Sequence, residues 1–447
     1  MTTKKTTQPS GPLQRAVSII KTATRPIVRK GWGHWLRFAL LLIAGSYIGH
    51  ELSDSPRFTD WRYWLYQKQV RWERRGPVYP RYTALVLLDD DDYWSDDYQA
   101  RSKLKRDKLA ALLDRLNAAG VNTVAFDVFM ESPHPEKPDY EFPDYRAEDD
   151  IFFQALQRMC AAGRHVILAT EYWPADHPND TSDVDEAPSI YASRLSSAPC
   201  VSLGHVDFAS DMRKVPGVMQ MADGHFVDSL SLAITKVTDP IAYQSLVNNA
   251  DRGFRFGQFL TPEDFATRDG RQFIFSGHEL QTMSLNQLRE ELADRTVIVG
   301  GHYHFAAYHH GFEFIDMINS PGGVEPGAML HANFVEAMRD PVSTFTPISD
   351  RAAEIFEWSL AMVLALVGAL EVHAGWKWAG FVVSFLASVV VAYALLQNLG
   401  IFLDFFIPIL IILLHTMTEA VLEMRHEIHH LKHQLHTHQK KVSEEHP

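Results

Sequence analysis

Four consecutive aspartates, Asp89–Asp92, follow directly on the apolar run Thr83–Leu88, and a fifth, Asp127, lies near the end of a second such run, Val121–Phe129. Carboxylates delivered by the carboxyl ends of two buried strands would meet where open α/β sheets bind ligands. Oxygen donors of this kind suit a hard cation such as calcium or magnesium, so Asp89, Asp91, Asp92 and Asp127 are candidate ligand contacts. The plainer reading is structural: the run is a solvated loop start, and Asp127 a cap or the ion-pair partner of Arg213. His302 and His304 form an H-x-H just after Gly300-Gly301, with His309 and His310 close behind. Imidazole suits zinc, copper or nickel, which makes His302 and His304 candidate metal ligands. An extended H-x-H supplies only two of them, and a polar or pH-responsive loop is the competing reading. His331, soon after Pro326-Gly327, reads first as a satisfied, partly buried histidine at a helix start and second as a ligand contact. The chain contains no G-x-x-x-x-G-K-[ST], H-E-x-x-H or G-x-S-x-G. Nucleotide hydrolysis, zinc proteolysis and serine esterase chemistry therefore have no positive motif, and neither a catalytic residue nor a cofactor is assigned.

The elements that would position these side chains alternate. Thr83–Leu88 is a short unbroken apolar run, as expected of a strand buried on both faces. Leu109, Leu112, Leu113 and Leu116 recur at helical spacing until Gly120, and Val121–Phe129 then reads as a second strand. This is a right-handed βαβ unit. A helix over Ile151–Ala162 and a strand over His165–Thr170 repeat it. Thr296–Gly301 is a further buried strand, preceded by a helix at Ser284–Leu292 and followed by another at Leu330–Met338. Val201–Phe208 and Gln272–Phe275 are weaker strand signals, and the polar stretch Tyr172–Pro199 reads as a long exposed loop. The predicted fold is a layered α/β domain with parallel strands.

Around that domain the chain is sorted by charge and hydropathy. Its formal net charge is −13, yet Met1–Arg37 holds eight basic residues and no acidic one. That segregation argues against nucleic-acid binding and for a chain sorted across a bilayer. Residues 1–34 read as a basic cytoplasmic arm, 35–52 as an uncleaved first transmembrane helix, and 355–372, 376–396 and 399–418 as three further spans. Residues 53–349 would then form one periplasmic domain of a multi-pass protein in a bacterial inner membrane. Glu357 and Asp404 fall near the outer ends of their spans, where carboxyls are usually hydrated. In the tail, Met417, Val421, Met424, Ile428, Leu431, Leu435, His438 and Val442 alternate at spacings of four and three, the seam of a coiled coil over 419–447. Self-association through tail and domain is expected. Seven histidines lie in Val421–Pro447, with His426, His430 and His433 on one helical face, and read mainly as a solvated face. Cys160 and Cys200 are the only cysteines. The expectation is two separate buried thiols, although an oxidising compartment would permit pairing.

Several segments resemble the type-2 CHASE domain, the extracellular sensor associated with bacterial cyclases, histidine kinases and Ser/Thr kinases. They are Leu85–Asp89 (LVLLD), the helix end Leu116–Gly120, Val124–Phe129 (VAFDVF), an acid at Asp149 or Asp150 ahead of Phe152 and Leu156, Gly204–Asp207 (GHVD) with Arg213 and Pro216, Thr296–Gly301, and Pro326–Glu336 (PGAMLHANFVE). The resemblance runs from about Asp60 to Thr418, and its P-G-x-x-x-H-A segment is the most specific part. It implies a membrane-bound sensor that relays an outside signal through its spans to a separate kinase, cyclase or envelope-complex partner. It also adds His205 and Arg213 to Asp89, Asp91, Asp127 and His331 as candidate ligand-binding residues. Family members usually continue into a catalytic output domain, whereas fewer than thirty residues follow Thr418, so no enzymatic output is expected from this chain. The alternatives are a non-sensing scaffold of an envelope complex and, more remotely, a periplasmic metal-dependent enzyme.

Overall fold

The computed structural model describes residues 60–347 apart from breaks, of which 131–144 and 175–183 are the longest, and only scattered positions beyond. Asp60–Pro347 is one compact unit, and the remainder of the chain forms the other. The basic arm, the four apolar segments, Glu357, Asp404 and the tail seam fall almost wholly outside the described residues. Among those described, no helix is long and apolar enough to cross a membrane.

Six strands make one parallel sheet: β1 (Thr83–Leu88), β2 (Thr123–Asp127), β3 (His165–Thr170), β4 (Val201–His205), β5 (Ile274–Phe275) and β6 (Thr296–Gly301), in the order β5-β1-β6-β2-β3-β4. The central strands are buried on both faces, which is why they read as continuous apolar runs. Alternate residues separate the two cores. Ala84, Val86, Leu88, Val124, Phe126, Val166, Leu168, Val297 and Val299 face one side, against α1 (Arg106–Ala119), α2 (Tyr145–Ala161) and α4 (Leu285–Leu292). Leu85, Leu87, Ala125, Ile167 and Ile298 face the other, against α3 (Leu230–Thr238) and α5 (Gly327–Arg339). The result is an α/β/α sandwich. Gly120 ends α1 in the left-handed conformation, φ 95°, as its place after the last apolar repeat requires.

The last strand, β6, is inserted between β1 and β2. The helices that follow β1 and β2 lie on one face of the sheet, and the helix that follows β6 lies on the opposite face. Chain paths therefore diverge on both flanks of β6, and such topological switch points open crevices at the carboxyl edge.

Three expectations are corrected and one unassigned segment is filled in. Tyr172–Pro199 is not simply a loop: Tyr172–Pro174 pairs with Val184–Glu186, and Ala192–Ser197 is a 3-10 turn. The histidine-rich segment after Gly301 begins a hairpin, His304–Ala307 with Gly311–Phe314. Helix α3 and the helix Pro240–Val247 are additions to the expected elements; Ser229 and Asp239 cap them locally. Finally, Cys160 and Cys200 form a disulfide with Cα atoms 5.2 Å apart. Pairing of β3 with β4 places Cys200 beside Val166, whose N–H donates to the Cys200 carbonyl at 3.1 Å, and Cys160 near the end of α2 reaches it there. Two cysteines 40 residues apart give no hint of this until the strands are paired. Closing a loop of that length removes about 4 kcal/mol of unfolded-state entropy in the chain-entropy model.

Candidate functional site

The acidic run is spent on the fold. Asp89 caps the single turn Asp90–Tyr93, accepting from Asp92 N–H, while the Asp92 carboxyl accepts from Asp89 N–H at 3.3 Å and from Gly277 N–H at 2.8 Å. Asp92 is buried, and that burial pushes its carboxyl up, opposed by the Gly277 amide. Asp90 accepts from His304 N–H at 2.7 Å and lies 2.8 Å from His304 Nδ1. The His304 amide holds the Asp90 carboxyl below its usual range. Asp91 is exposed. The expected convergence of these residues with Asp127 does not occur, because β6 separates β1 from β2. His304 is thus a docking point for the Asp90 turn, and His302 N–H extends the β1 edge by donating to Leu88 O at 2.8 Å. Among the described residues no group of three or more His, Cys, Asp or Glu side chains is disposed to hold a metal ion.

Across β6, different carboxyls meet. Asp127 ends β2 opposite Gly300, where a methyl group would lie 2.4 Å from Ala328 Cβ, so glycine lets α5 approach the strand end. The first residue of α5, Gly327, is enclosed by two acids: a methyl there would lie 2.1 Å from Asp316 Oδ2 and 3.2 Å from Asp127 Oδ2. Asp316, at φ 53°, also accepts the Gly327 N–H on its backbone carbonyl at 3.0 Å. Burial, with the nearby Asp316 charge second, raises the Asp127 carboxyl well above the ordinary range. Asp316 keeps an open outer surface, yet its carboxyl end faces Asp127 and α5. Loss of water on that inner side pushes it up to about 6, against the pull of the Gly327 amide.

His331 completes the group. Its Nδ1 lies 2.8 Å from Ser231 Oγ, and its Nε2 points at Asp127 Oδ1 from 3.9 Å, beyond hydrogen-bond reach. The side chains of His331 and Asp127 are 1% and 7% exposed, and among the described residues His331 Nε2 and Asp127 Oδ2 have no hydrogen-bond partner. Burial, with His205 second, pushes His331 down to about 3, so it is neutral at physiological pH. The Phe208 ring packs on it with centroids 4.6 Å apart. His205, at the end of β4, is buried and holds Gly217 O with Nε2 at 3.1 Å. Arg213 is buried with its guanidinium 5.5 Å from the Tyr66 ring centroid. The fold therefore brings Asp127, His205 and His331 to one region and leaves Asp89, Asp91, His302 and His304 in another. Ser231, His331 and Asp127 lie in sequence, but His331 and Asp127 are not hydrogen-bonded, and Ser231 is wholly buried against α5, where its hydroxyl could not reach a substrate carbonyl.

The remaining polar residues of α5 serve as internal ties. Glu336 accepts from Arg81, Tyr82 and Thr83 N–H and from Thr83 Oγ1, at 2.7–2.9 Å, anchoring the start of β1. Asn333 bridges both backbone groups of Leu260 and donates to Glu325. Burial pushes Glu325 up to about 8. Arg106 with Asp149 ties α1 to α2, and Arg101, just ahead of α1, pairs with Glu148 of α2, both as buried ion pairs. Sequence reading missed Asp316, Ser231 and Glu325. Asp316 lies in a hairpin-rich segment without periodicity, and only proximity to the P-G motif could have flagged it.

A family model described as the CHASE2 domain matches residues 32–370, three quarters of the chain. The chain belongs to the CHASE2 family. CHASE2 domains are non-catalytic sensory modules of membrane-associated proteins and generally pair with histidine kinase or cyclase modules, which gives this chain a general sensory role. Comparison with curated proteins and with solved structures gives no match.

Proposed function

We propose that this CHASE2 domain binds a small extracytoplasmic signal in the crevice bounded by Asp127, Asp316, Gly327 and His331, and that binding is relayed through the membrane segments to a partner protein. One observation carries the reading: at a topological switch point, two buried polar atoms of different residues, Asp127 Oδ2 and His331 Nε2, find no hydrogen-bond partner among the described residues. Stranding such groups costs about 1–3 kcal/mol each, and a bound signal that supplied their partners would recover that cost. A signal shifts the receptor only by its differential affinity for two states, and α5, which carries both Gly327 and the β1 anchor Glu336, joins the crevice to the amino-terminal edge of the sheet.

The topology proposed with it puts residues 53–349 in the periplasm, the basic arm and tail in the cytoplasm, and assembly in the tail and domain. The Cys160–Cys200 disulfide supports an oxidising compartment. The test is a ligand-stabilisation screen on the full chain in detergent. A compound that raises the unfolding midpoint of wild type, and does so less for Asp127→Asn and His331→Gln, supports the crevice; equal shifts in all three place binding elsewhere.

A further inference from the structure

Both ends of the domain are bound to one internal segment, 255–265, described at Arg255–Phe256 and 259–265. Residues 60–71 are helical at their described positions, and Tyr63, Tyr66, Gln67 and Val70 recur at i, i+3, i+4 and i+7, so one face of this helix is buried. Gln67 Nε2 donates to Phe259 O at 3.2 Å, and one turn further on Arg71 Nη2 donates to Asp264 Oδ2 at 3.0 Å. The same Asp264 oxygen accepts from the N–H and Oγ1 of Thr261, at 2.8 and 2.9 Å, which fixes the turn Pro262–Phe265. At the other end of the domain, Thr344–Pro347 pairs antiparallel with Arg255–Phe256, Thr344 opposite Phe256 and Phe345 opposite Arg255.

The segment is in turn held by α5. Asn333 binds Leu260 as a neighbouring strand would: its Oδ1 accepts the Leu260 N–H at 2.7 Å, and its Nδ2 donates to the Leu260 carbonyl at 3.0 Å and to Glu325 at 3.0 Å. All three residues are buried, so breaking these bonds strands polar groups away from water. Phe259 packs edge-on against Phe334 of the same helix, ring centroids 5.9 Å apart. Gly322 closes on the Leu260 carbonyl as well, since a methyl group there would lie 2.8 Å from it. Leu260 therefore moves with α5 or gives up two buried hydrogen bonds.

Resting on the reading that 53–349 lies outside the membrane between two spans, we propose that 255–265 is a clasp through which α5 sets the position of both membrane-leading ends, with Asn333 as the positioning residue. Those ends are the helix 60–71 after the first span and the strand Thr344–Pro347 before the second. Asn333 lies two residues beyond His331 on α5, so a shift of that helix is delivered to both ends together rather than to one. Tyr63 OH also accepts the Met212 N–H at 3.2 Å, and Asp60 accepts from Asn319. The helix 60–71 thus stays docked when the clasp opens, and the opening is read as faster local exchange rather than detachment.

The test is hydrogen exchange, followed by mass spectrometry, on the full chain in detergent. Asn333→Leu is close in shape and removes three hydrogen bonds. Amides in 60–71, 259–265 and 344–347 should exchange roughly tenfold faster or more, while β1, β2 and β6 stay protected as in wild type. Gln67→Leu should speed exchange in 60–71 alone, and it reports even should Asn333→Leu fold poorly. Asp92→Ala, which breaks a buried tie outside the clasp, should leave all three segments unchanged. Unchanged exchange in 60–71 or 344–347 of Asn333→Leu overturns the clasp, as does acceleration spread evenly over the domain, which would make Asn333 a general stability tie. Unchanged exchange in 60–71 of Gln67→Leu overturns it too. These failures leave the topology standing, which is tested apart from them: in spheroplasts, Trp64→Cys, at an exposed position, should react with a membrane-impermeant maleimide. Reaction only after lysis would place the ends in the cytoplasm and overturn the topological reading and the relay with it, whatever the exchange pattern.

Discussion

The two flanks of β6 present the same residue type at the same edge of the same sheet, to opposite effect. On the β1 flank, the carboxyls of Asp89, Asp90 and Asp92 are matched to backbone amides of their own turn, of Gly277 and of His304. On the β2 flank, Asp127 and Asp316 crowd one glycine, and Asp127 Oδ2 and His331 Nε2 lack partners among the described residues. A carboxylate with donors closes a loop onto the scaffold; one without donors carries a desolvation cost that protonation or a bound partner relieves. Acidic density in the sequence thus points to the wrong flank. What marks the candidate site is the meeting of two such buried groups, Asp127 and His331, at a topological switch point.

The sharpest contrast with Asp127 is Glu336, a buried carboxyl fully supplied with donors. Glu336→Ala would strand four of them at the start of β1 and should destabilise the domain by about 3–5 kcal/mol, read as a large fall in the unfolding midpoint. A change under about 1 kcal/mol would mean that donor count does not separate the two kinds of acid. Next in size is Asp92→Ala, which leaves Gly277 N–H unpaired and opens the cap of the 90–93 turn; roughly 1–3 kcal/mol should be lost.

Much of the scaffold behind this contrast is legible in the sequence. Thr83–Leu88, Thr123–Asp127, His165–Thr170 and Thr296–Gly301 are continuous apolar runs because both faces are covered, and α1 announces itself by leucine spacing and Gly120. The insertion of β6 between β1 and β2 is not legible, since strand order is set by contacts between residues far apart in the chain. That single fact separates Asp89–Asp92 from Asp127 and brings in Asp316 instead. His331 was visible as part of a motif, but its exposure and its neighbour Ser231 depend on how α3 packs against α5. Ser231 belongs to a helix buried over six consecutive residues, Leu230–Thr235, so burial does not set it apart from its neighbours.

A pH titration sharpens the β2 flank further. Asp316 has its folded-state pKa raised to about 6, so the stability it contributes is present below about pH 4 and is lost as pH rises through about 6. The unfolding midpoint of Asp316→Asn should therefore gain on wild type between about pH 4 and pH 7. A constant difference across that window would show that the carboxyl is unperturbed. The smallest effect should come from Asp90→Asn on the other flank. Its partner His304 and its own side chain are both substantially exposed, and the change should stay within about 0.5 kcal/mol by the same melting measurement.

The most direct test of the central claim is the unligated stability of Asp127→Asn, measured beside wild type near neutral pH on the full chain in detergent. An amide of the same shape removes the buried acid from the crowded pair. The variant should therefore unfold at a temperature equal to or above that of wild type, as expected where a site holds unmet polarity for a ligand. A loss of stability like that of Asp92→Ala would show that Asp127 is a structural tie like the acids across β6, and would contradict the assignment of the crevice.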